Sequence, residues 1–105
     1  MINALKQLLG FGPKTDYAAL VKQGAVILDV RSKGEYAGGH IKGSINIPVD
    51  QLSNNLSKLK DKNKAIITVC ASGMRSGSAK AMLQSNGFAQ VYNGGSWMNL
   101  KKYEQ

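Results

Sequence analysis

Two near-continuous apolar runs constrain this chain more than any other feature. Ala25-Val26-Ile27-Leu28-Asp29-Val30 and Ala65-Ile66-Ile67-Thr68-Val69 are of strand length and rich in β-branched residues. Strands of that kind are covered on both faces, as central strands of a parallel sheet are. Helical patterns flank and separate them. Thr15 is placed to cap a helix through Asp16–Lys22, ended by Gly24. Ser32 opens a short helical piece through Glu35, Tyr36 and Ala37, which Gly38-Gly39 breaks. Ser44–Ile47 reads as a short strand stopped by Pro48. Asp50 or a neighbour then caps a helix around Gln51–Leu59, with Leu52, Leu56 and Leu59 at helical spacing. Beyond the second run, Arg75–Asn86 reads as a helix with Ala79, Met82 and Leu83 inward and Gly87 at its end. Ala89–Tyr92 reads as a strand, Asn93-Gly94-Gly95 as a turn, and Ser96 as the cap of a last helix through Trp97, Leu100 and Tyr103. The alternation predicts an α/β fold: a central, mostly parallel β-sheet with helices on both faces.

A chain of 105 residues suits one domain. The expected division is an N-terminal helical extension over residues 1–14 and a domain over 15–105. Ile2, Leu5, Leu8 and Leu9 fall on one side of that first helix, which suits docking on the domain; a membrane-surface or partner-docking segment is the alternative. The segment makes a poor signal peptide, lacking a positive start and a sustained apolar middle. No apolar run approaches the ~20 residues of a membrane span. With one cysteine and one histidine, neither an internal disulfide nor a zinc-ligand spacing exists, and no cofactor is indicated. A reduced thiol in the cytoplasm is the simplest setting. The net charge of +8 raises nucleic acid as a partner, but only Arg31 and Arg75 are arginines, and Lys58, Lys60, Lys62 and Lys64 lack interleaved aromatics. A positive field that draws in small anions fits better.

Chemistry concentrates at the end of the second apolar run, in Cys70-Ala71-Ser72-Gly73-Met74-Arg75-Ser76. A strand runs there into a glycine-bearing loop and then a helix. That arrangement aims main-chain N–H groups and the positive end of a helix dipole at one place. A thiol held there loses its proton readily, and the thiolate is the nucleophile. Cys70 and Asp29-Val30-Arg31 both lie at carboxyl ends of the predicted strands, where such sheets form their ligand crevice. Four residues separate Cys70 from Arg75. Protein tyrosine phosphatases space cysteine and arginine one residue wider, so this cradle suits one extra sulfur atom better than a tetrahedral phosphoryl group. An inert buried cysteine is the plain structural alternative.

Several segments, in order, resemble a single-domain rhodanese, a thiosulfate or persulfide sulfurtransferase. They are Leu28–Arg31, Glu35–Pro48, Cys70–Ser76, Gly87-Phe88 with Val91-Tyr92, and Asn93–Trp97. The resemblance implies a rhodanese-like fold and covalent catalysis in which Cys70 takes a sulfane sulfur as a persulfide. It implies that the amides of Ala71, Ser72, Gly73, Met74 and Arg75 cradle that sulfur. The partners it implies are a small anionic sulfur donor and a thiol or cyanide acceptor, protein thiols included. Many thiosulfate-using members carry arginine where this chain has Ala71, which points away from thiosulfate and toward a persulfide donor. Lacking a second cysteine, the chain needs an acceptor from outside. Asp29, Arg31 and Glu35 are expected to support the loop, with Glu35 pairing Arg31 or Arg75. His40 and Trp97 are expected to be structural, and Met74 to line the mouth. A non-catalytic rhodanese-type binding or redox-sensing module is the competing function; a phosphatase or arsenate reductase is the third.

Overall fold

The computed structural model describes residues 15–104, so the extension expected over 1–14 lies outside the described residues. Four strands form one sheet: β1 (Val26–Asp29), β2 (Ile45–Asn46), β3 (Ile66–Cys70) and β4 (Val91–Ser96). Their order is β2-β1-β3-β4, and every neighbouring pair is parallel. The two apolar runs are therefore the two inner strands. Register pairs Leu28 with Thr68 and Asp29 with Val69, which brings the ends of β1 and β3 to the same edge of the sheet.

Side chains alternate across these strands, as the pleat requires. Leu28, Val30, Ile66 and Cys70 pack on one face with Ala79 and Leu83 of helix α3 (Met74–Ser85) and with Leu52 and Leu59. Ile27, Ile67 and Val69 pack on the other face with Val21 of helix α1 (Tyr17–Lys22) and with Leu100. Leu28, Ile67 and Leu83 have no solvent exposure, and burying each such side chain contributes ~1.5–3 kcal/mol. A third, short helix, α2 (Lys33–Ala37), follows β1. It begins with a full capping box: the Glu35 amide donates to the Ser32 hydroxyl, and the Ser32 amide to the Glu35 carboxylate.

Local structure departs from expectation at four places. The cap of α1 is Asp16, not Thr15: the Asp16 carboxylate accepts the Ala19 amide at 3.0 Å, while Thr15 is exposed. Instead of one helix over Gln51–Leu59 there are two 3₁₀ segments, Val49–Asn54 and Leu56–Lys58. Asn55 interrupts them at φ −127°, its side-chain amide donating to the Gln51 carbonyl at 2.7 Å. An asparagine side chain competing for main-chain partners breaks a helix in this way. Leu52 and Leu59 are still buried, so their spacing reported burial correctly but not helix type.

Asn93-Gly94-Gly95 is not a turn but the middle of β4, with the register shifting between Thr68 and Val69. Gly94 passes so close to the sheet that a Cβ there would lie 2.8 Å from both Ile67 Cγ2 and Leu100 Cδ1. The last helical segment, Trp97–Tyr103, is 3₁₀ rather than α, although Ser96 caps it as expected, accepting the Met98 amide. Among the described residues no helix is long and apolar enough to cross a membrane.

Candidate active site

Cys70 is the last residue of β3, and only Ala71-Ser72-Gly73 separates it from α3. Gly73 sits at φ +102°, a conformation that side chains other than glycine's strongly disfavour. The chain thereby turns back, and the Gly73 amide donates to Cys70 Sγ at 2.8 Å. On the other side of the sulfur, the Ser76 hydroxyl stands 3.4 Å away. Cys70 itself is 0% exposed, although Ala71, Ser72 and Met74 beside it are exposed. Burial pushes the thiol up. Hydrogen bonds from the Ser76 hydroxyl and from the Ser76, Gly73 and Ser72 amides outweigh that, and the thiol is held below its ordinary value of 9.0. The thiolate is thus favoured here chiefly by hydrogen bonds from fixed donors.

The charged residues expected to support the loop form two separate pairs, Asp29–Arg31 and Glu35–Arg75. Asp29 and Arg31 are buried and face each other through a fork, with Arg31 Nε 3.0 Å from Oδ1 and Nη2 2.8 Å from Oδ2. The same guanidinium donates to the Gly39 carbonyl at 2.7 Å and lies 4.5 Å from the centre of the Trp97 ring. Asn46 donates to both the Asp29 and Arg31 carbonyls. This pair therefore fastens the segment after α2 to the sheet, and among the described residues its side chains make no hydrogen bond to the Cys70 loop. Glu35 pairs with Arg75, at 2.6 and 2.9 Å, not with Arg31. The Arg75 guanidinium hydrogen-bonded to it, with the Ser32 amide and hydroxyl, lowers the Glu35 carboxyl to about 2.

His40 stacks on the Tyr36 ring at 3.8 Å between centroids, and its Nδ1 lies 2.7 Å from the Tyr36 carbonyl. Met74 is 82% exposed on the outer side of the loop. A hollow of about 420 Å³ opens next to the loop, walled by Val30, Pro48, Val49, Lys33, Asp50 and Arg75. A second hollow of about 230 Å³ lies at the opposite ends of the strands, around Val26, Ile66 and Lys60, far from the sulfur.

Two residues near the sulfur were not expected from the sequence: Ser76 and Asn93. Ser76 Oγ lies 2.6 Å from Asn93 Oδ1 and 3.0 Å from the Gly73 carbonyl. Asn93 also accepts the Gly95 amide and donates to the Gly73 carbonyl. A signal for Ser76 was present, because it shares the buried face of α3 with Ala79 and Leu83 at helical spacing. A hydroxyl on an apolar face needs a partner. Asn93 carried no such signal, since its place depends on β4 continuing beside β3.

The chain matches the rhodanese-like domain family over residues 14–101. It belongs to that family. Among curated proteins, this rhodanese domain is 36% identical over 81 residues to the thiosulfate sulfurtransferase GlpE of Pseudomonas fluorescens, covering 77% of this chain and 73% of that one. It is 38% identical over 69 residues to the uncharacterized protein YqhL of Bacillus subtilis, covering 66% of this chain and 54% of that one. The chain thus spans about half the length of YqhL and of similar curated relatives. Among solved structures it resembles a rhodanese with anions from E. coli, with a TM-score of 0.68, 31% identity, and coverage of 72% of this chain and 91% of that one. The expected fold is the observed one, and the sheet is parallel throughout its described strands.

Proposed function

We propose that this rhodanese domain is a sulfurtransferase that carries a sulfane sulfur on Cys70. The observation that carries the reading is the Gly73 amide 2.8 Å from Cys70 Sγ, in a loop that turns its main chain toward the sulfur. In the first step the Cys70 thiolate attacks the outer sulfur of a donor. A new S–S bond forms as the donor's own bond breaks, and its electron pair leaves with the donor fragment, which is sulfite when the donor is thiosulfate. The outer sulfur of the resulting persulfide carries the negative charge, within reach of a cradle built from the amides of Ala71, Ser72, Gly73, Met74 and Arg75. An acceptor thiolate or cyanide then attacks that outer sulfur and releases the Cys70 thiolate. Both steps keep the charge on sulfur beside fixed donors, which is where such donors lower a barrier most.

Ala71 places no cation beside the entrance, so a low-molecular-weight persulfide is a better donor here than thiosulfate. The net charge of +8 favours small anions. The relative GlpE is a thiosulfate sulfurtransferase, which supports the same class of sulfur-transfer chemistry for this domain. As the chain's single thiol, Cys70 works as a persulfide carrier in a reducing compartment such as the cytoplasm.

The test is to mix the full chain with thiosulfate, or with a low-molecular-weight persulfide, and weigh it. The expected product gains one sulfur atom, which cyanide removes as thiocyanate, and Cys70→Ser abolishes both events. A second reading rests on the zero exposure of Cys70: a binding module whose cysteine is packed rather than reactive. Absence of any sulfur adduct with either donor would favour it.

A further inference from the structure

Ser76 has one hydroxyl proton and three groups within reach that can accept it. Asn93 Oδ1 is at 2.6 Å, the Gly73 carbonyl at 3.0 Å, and Cys70 Sγ at 3.4 Å. The oxygen of the Asn93 amide is identified by the Gly95 amide, which must donate to it at 2.9 Å. Oδ1 cannot donate, so the short Ser76–Asn93 contact uses the hydroxyl proton. The thiol then donates its own proton to Ser76 Oγ, as the 3.4 Å contact allows. A thiolate reverses this requirement, because it can only accept.

We propose that Asn93 is a positioning residue for the Cys70 sulfur, which holds the Ser76 hydroxyl proton while Cys70 is a thiol and yields it when Cys70 is a thiolate. This rests on the sulfur-carrier reading for its use, not for its geometry. When the thiol gives up its proton to bulk base, the Ser76 O–H turns from Asn93 Oδ1 onto Sγ. Asn93 Oδ1 keeps the Gly95 amide, and the two oxygens, no longer sharing a proton, move apart from 2.6 Å. When an electrophilic sulfur bonds to Sγ, the charge moves to the outer sulfur, and the hydroxyl turns back to Asn93. Ser76 thus serves the attacking thiolate without anchoring the loaded sulfur.

Asn93 and Cys70 compete for one proton, so Asn93 opposes the thiolate through Ser76. The sign of its effect therefore separates this role from a merely structural one. Other charged groups around the Cys70 loop are the Asp29–Arg31 pair at the end of β1, Arg75 on α3 with Glu35 on α2, and Lys33 and Asp50 on the rim of the hollow. None is altered in the test, and β4 contributes only Asn93 to the contact. Ser76→Ala keeps the Ser76 carbonyl that accepts the Thr68 hydroxyl, and alanine favours the helix.

The experiment titrates Cys70 of the full chain through its rate of alkylation by iodoacetamide against pH, a signal that the four tyrosines do not contribute to and that the single cysteine assigns. Ser76→Ala is expected to raise the midpoint by about one unit, a tenfold loss of thiolate near neutral pH. Asn93→Ala is expected to lower the midpoint when Ser76 is present and to leave it unmoved in the Ser76→Ala background. Asn93→Asp, which grips the proton harder, is expected to raise it more with Ser76 than without. A rise on Asn93→Ala, or shifts that simply add between the two positions, would overturn the proposal. Weighing the wild type after treatment with a persulfide tests the sulfur-carrier reading separately. Failure to load would sink that reading, and the titration would still decide the role of Asn93.

Discussion

Glu35 and Arg75 stand 40 positions apart in sequence and meet as a two-pronged ion pair, 2.6 and 2.9 Å long, that ties α2 to the first turn of α3. Glu35 serves two purposes at once, because the same Oε1 also accepts the Ser32 amide that closes the capping box. The loop carrying Cys70 is therefore held from outside by a side chain that is itself held. Both partners are 38% exposed, so the pair orients more than it stabilises.

Arg75→Ala should leave the fold intact and slow sulfur loading of Cys70 by about three- to tenfold, since a small misplacement of reacting groups is costly. Glu35→Gln should have the smaller effect, because the amide still accepts one hydrogen bond. Glu35 has its carboxyl lowered from 4.5 to about 2, so the contribution of the pair is complete above pH 4.5 and is lost as pH falls through about 2. Carboxyl chemical shifts followed by NMR through that window check the sign; titration of Glu35 near 4.5 would contradict the pairing.

Alkylation of Cys70 should rise with pH about a midpoint below 9.0, because the Ser76 hydroxyl and the Ser76, Gly73 and Ser72 amides more than offset its burial. The thiol's folded value lies below its unfolded one, so the linked stability is fully present above 9.0 and is lost as pH falls through the folded midpoint. The rate of reaction with iodoacetamide against pH measures this, with Cys70→Ser as the blank. A midpoint at or above 9.0 would count against the site as described.

Arg31→Ala should be among the most damaging single changes in the chain. It leaves the Asp29 carboxylate, 0% exposed, without its partner, and removes the contact to the Gly39 carbonyl and the Trp97 ring. Breaking a buried pair from one side costs ~3–5 kcal/mol. Denaturant unfolding should show a loss of that size. Arg31→Lys should recover only part, because an ammonium cannot reproduce the fork.

Gly94→Ala should destabilise without touching the sulfur. The added methyl would sit 2.8 Å from Ile67 Cγ2 and Leu100 Cδ1 and 3.0 Å from Val69 Cγ1, all in the packed core. Overpacking of that kind costs ~1–3 kcal/mol. A lower midpoint in denaturant is the expected pattern; an unchanged midpoint would contradict the close approach.

The sequence by itself determined the order of the strands along the chain, the two inner strands, and the place of Cys70 at the end of one of them. Those follow from patterns that are local: an apolar run, a glycine, a cap, a helical stripe. Local patterns also located Ser32 as a cap and Ala79 and Leu83 as core. They failed where a side chain or a neighbouring strand overrode propensity. Asn55 splits a helix by bonding back to Gln51, and Asn93-Gly94-Gly95 stays within β4, with Gly95 at φ +74°, because β3 pairs with it past a register shift. Which arginine Glu35 would choose, and which groups would face the sulfur, were decided only by tertiary structure. Arg31 is consumed by Asp29, two residues away and already buried with it, so Arg75 is left for Glu35. Ser76 reaches the sulfur and Asn93 reaches Ser76 because a helix turn and a parallel strand converge there, and no spacing along the chain encodes that convergence.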